Sequence, residues 1–405
     1  MEDIDPVVFA IPFYFILIGL ELIYNYFKKA KLYRFNDAVT NISCGIGDQL
    51  ISVFVKVLTV GVYDLVYTNF AFFEIPATWW SFAICFILVD FCYYWVHRTG
   101  HEVNFLWASH SVHHQSEEYN LSVALRQSWF HKLFTFPYYL PVALLGFETM
   151  YFVLAIGFNL LYQFWIHTEA IGKMGWLETI MNTPSHHRVH HGRNPQYIDK
   201  NHAGVFIIWD RLFGSFAEEK EAPVYGITTP LASWNPLWAN FVHWKAMYSE
   251  SKPMKGIDRV KMWFKPPGWR PAYLGGTHQI PEVNRGNYLK FNTIAPLRLN
   301  IYILTQYVIA LGIGSFFLLN FDQFIWQDKL GFAFLVMFAI INIGLLLERR
   351  KTGYVLEYFR VIGTMLFGIY LLQSQPNFNI WVFAISISTF IVMIWLLTMG
   401  KYMRK

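Results

Sequence analysis

A series of apolar stretches, at 7–27, 50–72, 79–96, 297–319, 331–347, 354–372 and 380–399, constrains this chain more than any other feature. Each is close to the roughly 20 residues that a helix needs to cross the hydrocarbon core of a bilayer. Inside lipid the backbone has to pair its own polar groups, and a helix does so within one segment. The expected fold is therefore all-α, a polytopic membrane protein.

The composition points the same way. Of 405 residues, 55% are hydrophobic and 19% aromatic, and only 15% are charged, against about a quarter in soluble domains. The net charge of +5 gathers in short runs beside apolar stretches, which is how topology signals are distributed. No nucleic-acid partner is expected. Cys44, Cys85 and Cys92 lie in or beside apolar stretches without a C-x-x-C pair, so they read as small buried residues and not as disulfides or thiolate ligands. Met1-Glu2-Asp3-Ile4-Asp5 lacks the basic region of a secretory signal, so the first stretch is expected to stay as an anchor.

Lys28, Lys29, Lys31 and Arg34 follow that first stretch, and positive residues favour the cytosolic side. The N-terminus then faces outward, and alternation brings the end of the third stretch, at His97-Arg98, to the cytosolic surface. The last loops agree: Asp322 and Asp328 fall outside, while Glu348-Arg349-Arg350-Lys351 and Lys401, Arg404 and Lys405 fall inside. Between 136 and 166 the apolar run is long for one crossing and short for two. Pro137, Pro141, Gly146 and Gly157 interrupt it, and a re-entrant helical hairpin turning near Gly146-Phe147-Glu148 is expected. From 167 to 296 nothing is long enough to span. Trp234, Trp238, Trp244, Trp263 and Trp269 in this region suit either headgroup-level segments or the packing of a cytosolic cap. Pro266-Pro267-Gly268 and Gly275-Gly276 mark turns. The expected division is a membrane-embedded domain over 1–275, a linker over 276–296 and a C-terminal four-helix transmembrane block over 297–405, which has no histidine and no pair of intramembrane acids.

Chemistry concentrates in the histidines. His97-x3-His101 ends the third stretch, His110-x2-His113-His114 follows, and His187-x2-His190-His191 repeats the pattern downstream. Residues three and four apart share a helix face, so each cluster aims its imidazoles at a common point. These eight exceed what one ion can take, so two ions in a histidine-rich helical cap are expected. Nitrogen ligands without thiolates suit iron, zinc, copper or nickel. His167, in Trp165-Ile166-His167-Thr168-Glu169, is the candidate ninth ligand. His186 adjoins the last cluster but points about 100° away from His187 on a helix, and His131, His202, His243 and His278 stand alone and read as structural. Glu102 directly follows His101 and is suited to accept an imidazole N–H. Asp90 lies inside a span near the helical face of His97, where an acid is costly and marks function; it reads as support for a ligand. Glu117 and Glu118 read as a solvated loop.

The order H-x3-H, H-x2-HH and a distant H-x2-HH at the ends of membrane spans resembles the fatty acid hydroxylase and sterol desaturase superfamily of membrane di-iron oxygenases. Within it, Glu118-Tyr119-Asn120-Leu121-Ser122, Ala124-Leu125-Arg126-Gln127-Ser128, Asn159-Leu160-Leu161-Tyr162-Gln163 and Asn182-Thr183-Pro184-Ser185-His186-His187 are similar to the branch that cleaves ether lipids. The resemblance covers about 7–275. It implies two iron ions held by the clustered histidines, O2 as co-substrate, and Glu102 as an essential neighbour. It implies hydroxylation of a lipid C–H, the carbon next to the ether oxygen of an alkylglycerol, giving fatty aldehyde and glycerol. The implied reductant is tetrahydrobiopterin, with Glu169, Arg126 and Gln127 as candidate contacts to it or to the lipid headgroup. Nothing in the chain resembles a fused haem-binding domain, and no G-x-G-x-x-G stands in a strand–turn–helix setting, so an external electron donor is expected. The host membrane would be the endoplasmic reticulum in a eukaryote or the inner membrane in a bacterium, with the site on the cytosolic side. One alternative is a hydroxylase or desaturase of other lipids, sterols or carotenoids with a protein donor. A membrane metal transporter or a zinc hydrolase is a more distant one; a transporter calls for histidines or acids at mid-membrane, whereas these lie at span ends.

Overall fold

The structure, a computed structural model, describes residues 6–403 except Asn287, with side chains from Ala10 onward. Among the described residues it is helical, and β-pairing is limited to the isolated bridges Met181–Phe206 and Gly192–Tyr225. The described residues include 7 helices long and apolar enough to cross a membrane. There are two compact units, one formed by the chain up to Leu231 with Asn240–Lys290, the other by Ala232–Ala239 with the chain from Phe291 onward.

In the first unit α1 (Pro6–Lys28), α2 (Phe35–Phe70) and α3 (Trp79–Glu102) are the long helices. α3 begins on a reciprocal cap: the Ser81 N–H donates to Thr78 Oγ1 and the Thr78 N–H to Ser81 Oγ. α2 departs from the sequence expectation, starting at Phe35 instead of near residue 50. Its 36 residues reach about 54 Å at the α-helical rise, well past a hydrocarbon core of about 30 Å. Burial explains the extension. Asn36, Asp37, Thr40, Asn41, Ser43 and Asp48 are buried and bond to the protein: Asn41 Nδ2 donates to Ser122 Oγ (3.1 Å), Ser116 Oγ to Asp37 Oδ2 (2.8 Å) and Lys132 Nζ to Asp48 Oδ2 (2.8 Å). A stretch polar enough to read as a loop is a helix whose polar face meets other protein. Gly45 and Gly47 permit the approach, since a Cβ would lie 2.3 Å from the Leu125 carbonyl oxygen at the first and 2.2 Å from Trp129 Nε1 at the second.

α4 (Asn104–His114), α5 (Leu121–Ala124) and α6 (His131–Thr135) follow, and a 3-10 turn at Phe136–Tyr139 runs into α7 (Leu140–Leu144). The chain then turns at Gly146, with φ +97, where a Cβ would sit 1.9 Å from the Phe73 carbonyl oxygen. α8 (Thr149–Trp165), with 17 residues, is shorter than the spanning helices and packs on α3. Tyr63 braces this region by stacking on Phe152 at 4.1 Å and donating its hydroxyl to the Phe147 carbonyl at 2.9 Å. α9 (Pro184–His190), α10 (Ile208–Leu212), α11 (Pro236–Ser251) and α12 (Asp258–Phe264) come next. Met247, Met254 and Met262 bury themselves with Ala108 of α4, flanked by Trp244, Trp263 and Trp269. Those three tryptophans thus belong to a cap on α4, while Tyr248 and Phe264 remain exposed.

The second unit holds α13 (Leu297–Leu319), α14 (Trp326–Leu347), α15 (Lys351–Leu372) and α16 (Phe378–Met399). Each packs on the next and α16 returns to α13. Its interior carries a charge pair: Arg360 and Glu357 are both buried and bridge at 2.7 Å. Tyr302 Oη and Asn342 Nδ2 each donate to Glu357 at 2.8 Å, and Arg360 donates to Gln306 at 2.6 Å.

Candidate metal centre

His97 and His101 lie one turn apart near the end of α3, and His110, His113 and His114 lie on α4, which starts directly after the break at Val103. α9 opens with Pro184 in its first turn, carries His187 and His190, and is capped by His191. His167 follows α8. All nine imidazoles are buried, none more than 6% exposed.

They form two groups. His97, His101, His110, His114 and His190 bring one ligand atom each within 4.8 Å of one another, and His113, His167, His187 and His191 do the same. His114 Nε2 stands 3.1 Å from His101 Nε2, 3.1 Å from His110 Nε2 and 3.2 Å from His190 Nε2. His167 Nε2 stands 3.2 Å from His113 Nε2 and 2.9 Å from His187 Nε2. A neutral ring nitrogen carries one hydrogen or one lone pair, so His114 Nε2 cannot be hydrogen-bonded to three others. Ligands about 2.1 Å from a common ion and at right angles lie about 3.0 Å apart, and the observed separations are such edges. Nε2 of His97 and of His191 are buried with no partner in the protein. The residues present fit metal ions.

The opposite ring nitrogens explain the orientation. Nδ1 of His97 faces the His202 carbonyl at 2.7 Å, that of His113 the Arg126 carbonyl at 3.0 Å, that of His167 the Gln163 carbonyl at 2.7 Å and that of His190 the Lys200 carbonyl at 2.9 Å. A carbonyl only accepts, so each Nδ1 carries the proton and each Nε2 keeps its lone pair. Asp199 Oδ1 lies 3.5 Å from His101 Nδ1. Two of these carbonyls come from one turn in which Asp199 (φ 56) and Asn201 (φ 55) adopt the left-handed conformation, which Asp and Asn tolerate better than most residues. Burial, reinforced by neighbouring imidazoles, pushes His110, His114, His167, His187, His190 and His191 well below the usual histidine range, and burial takes His113 down to about 4. At neutral pH these rings are uncharged bases.

The other residues singled out in the sequence occupy several settings. Asp90 lies outside both groups. Its Oδ1 accepts from Asn159 Nδ2 (2.7 Å) and the Val205 N–H (2.8 Å), and its Oδ2 from Trp209 Nε1 (2.9 Å) and the Phe206 N–H (3.1 Å). Asp210 grips the same segment from the other end, accepting from the N–H groups of His202 and Ala203 at 2.8 Å each. Glu102 pairs with Arg98 at 2.9 Å and has a side chain 42% exposed, so the acid beside an imidazole is Asp199. Arg126 is enclosed, donating to the Val112 carbonyl (2.7 Å), Asn41 (3.1 Å) and Gln115 (2.8 Å); Gln127 donates to the Ala124 carbonyl. Glu169 accepts from Tyr225 Oη at 2.8 Å and pairs with Arg285. Glu117 and Glu118, expected in a solvated loop, are buried and both pair with Arg34: the loop they occupy is covered by chain from elsewhere.

His186 is outside the two groups and packs on Phe216. His131 faces Ser109 Oγ at 3.1 Å, His243 faces Asn104 Oδ1 at 2.8 Å, and His278 is exposed. His202 is closer to the centre than its isolation in sequence suggests. It is fully buried, its ring 5.1 Å from that of His101 and 5.6 Å from that of His190. The carbonyls of Arg126, Lys200 and His202, which orient ligand candidates, have no side-chain signal; Asp199-x-Asn201 as a pair tolerant of left-handed backbone was the available clue.

An all-helical membrane chain with two buried histidine clusters defines a class of enzyme, and residues 82–215 match the family model for fatty acid hydroxylase. The chain is 40% identical over 373 residues to alkylglycerol monooxygenase of Homo sapiens, covering 89% of this chain and 82% of the human one. It is 38% identical to that of Danio rerio, over 88% of this chain and 81% of the relative, and 32% identical to that of Caenorhabditis elegans, over 72% and 62%. The chain belongs to the alkylglycerol monooxygenase family and is a membrane oxidoreductase, a lipid monooxygenase. No solved structure matches it.

Proposed function

We propose that this chain is a di-iron monooxygenase that uses O2 and tetrahydrobiopterin to hydroxylate the carbon next to the ether oxygen of an alkylglycerol. The C–H bond becomes C–OH, the second oxygen atom of O2 leaves as water, and the reductant supplies two electrons. The product is a hemiacetal, whose hydroxyl proton passes to the ether oxygen as the C–O bond breaks, releasing a fatty aldehyde and glycerol. The observation that carries the proposal is the convergence of His97, His101, His110, His114 and His190 on one point and His113, His167, His187 and His191 on another.

Two iron ions in these positions would supply the activation of O2. The chain's own residues do the rest. Carbonyls of His202, Arg126, Gln163 and Lys200 fix the ligand rings, so little reorganisation is needed on loading. Near-complete burial of the nine rings keeps bulk water from the reacting carbon. Asp90 acts as a positioning residue through the 202–209 segment, and Glu102, next in sequence to His101 and paired with Arg98, is the proposed essential neighbour of the ligands. The basic residues after the first span argue for a cytosolic site, in the endoplasmic reticulum membrane of a eukaryote or the inner membrane of a bacterium.

The test is turnover of an alkylglycerol by iron-loaded protein under O2, with and without tetrahydrobiopterin, reading fatty aldehyde by mass. Pterin-dependent aldehyde is expected. No aldehyde from protein that holds two irons would reject the ether-lipid substrate and favour another lipid with a protein donor.

A further inference from the structure

The proposed chemistry needs electrons at a centre that no donor can touch, since its nine rings are at most 6% exposed. We infer that electrons enter through the stacked rings of Tyr225 and Tyr119, from a reduced pterin docked against Glu169 and Arg285. This rests on the di-iron reading above.

Tyr119 is 1% exposed, and its ring lies 5.2 Å from that of His191 and 5.9 Å from that of His167, both in the four-histidine group. It also stacks on Tyr225, with centroids 4.8 Å apart and planes within 16°. Tyr225 Oη donates to Glu169 at 2.8 Å, and Arg285 pairs with Glu169 while its guanidinium lies 5.5 Å from the Tyr225 ring centre. Here the series meets solvent, because the Arg285 side chain is 49% exposed and that of Glu169 24%. The sequence of groups therefore runs from an open charged pair, through two parallel rings, to two ligand candidates.

Both rings are held in place. Tyr119 Oη donates to the Ile166 carbonyl at 3.1 Å, next to His167. The Gly192–Tyr225 bridge and the bond from the Arg193 N–H to the Val224 carbonyl (2.8 Å) tie Tyr225 to the chain that follows His191. Electron tunnelling falls steeply with distance, and continuous π-contact shortens the gaps to be crossed. At the outer end a carboxylate and a guanidinium side by side, over an aromatic face, complement a planar heterocycle that has both N–H donors and a carbonyl acceptor. The pterin loses two electrons and two protons, the metal pair gains the electrons, and the protons pass to solvent; neither tyrosine forms a bond.

The experiment is anaerobic reduction of the oxidised, iron-loaded protein by tetrahydrobiopterin, followed spectroscopically as iron(II) appears, with metal content measured for every variant. Tyr225→Leu should slow reduction about tenfold or more while keeping its iron, and Tyr225→Phe, which retains the ring, should stay near the parent rate. Glu169→Gln and Arg285→Met should each raise the half-saturating pterin concentration about tenfold with the limiting rate unchanged, the size of a lost charge-assisted hydrogen bond. Tyr225→Leu that holds its iron and is reduced at the parent rate would overturn the route. Should Tyr225→Leu lose iron, the other two variants decide, and an unchanged half-saturating concentration in both would overturn the inference. Parent protein that holds no iron, or whose iron tetrahydrobiopterin does not reduce, would contradict the functional reading itself, and the inference would fall with it.

Discussion

Replacing Asp90 with asparagine should cost far more than a near-isosteric change ordinarily does. The carboxylate accepts four hydrogen bonds, two on each oxygen: Asn159 Nδ2 and the Val205 N–H on one, Trp209 Nε1 and the Phe206 N–H on the other. Asparagine offers one acceptor oxygen and turns an NH2 group toward the remaining two donors. Two bonds are lost whichever way the amide is placed, and two buried donors are left unpaired. Hydrogen bonds to a charged acceptor are worth about 1.5–3 kcal/mol each, so Asp90→Asn should destabilise by about 3–6 kcal/mol, a large share of a typical total of 5–15 kcal/mol. The damage should reach the metal centre, because the segment held by Asp90 adjoins His202, whose carbonyl fixes His97. The assay is thermal unfolding in detergent together with metal per chain. Trp209→Phe removes one bond and should cost about 1.5–3 kcal/mol. Asp90→Asn within about 1 kcal/mol of the parent, with its metal content intact, would refute the assignment of Asp90 as a clamp.

Further outcomes follow from the same geometry. His190→Ala and His113→Ala, one from each group, should each lose metal and turnover while the exposed His278→Ala keeps both; equal loading in all three would sink the site. In the metal-free protein His113 is held at about 4 against about 6.5 unfolded, so its contribution is fully present above pH about 6.5 and is lost as pH falls toward about 4. That single ring accounts for about 3 kcal/mol across the window. Ring nitrogens this weakly basic give protons little hold on the same lone pairs until about pH 4, so metal should survive dialysis at pH about 5.5, and its loss there from protein that stays folded would contradict the burial argument. In the C-terminal bundle Glu357→Gln strands the buried Arg360 and should destabilise by about 3–5 kcal/mol, with Glu357→Leu/Arg360→Leu less damaged than either single change. Additive losses in that cycle would show the two charges to be uncoupled.

The spanning helices and the histidine clusters were legible because each rests on a periodic pattern: about 20 apolar residues for a span and i, i+3, i+4 spacing for a shared face. What the sequence hid is non-periodic. The start of α2 reads as a polar loop until Ser116, Ser122 and Lys132 come from elsewhere to meet it. Arg126 looks like a surface contact in sequence, yet it is buried and its backbone carbonyl orients His113. His202 looks isolated because its relation to His97, His101 and His190 depends on a turn made by two left-handed residues. Glu357 and Arg360 lie in a stretch whose hydropathy masks them, and only the helix face they share reveals the pair.

The central claim is that nine imidazoles hold two ions, divided five and four. The most direct test is the identity and number of metal ions per folded chain, read by elemental mass spectrometry on purified protein. The account predicts two iron ions per chain. A single ion, or a full complement of zinc or copper in protein that turns over lipid, would contradict it.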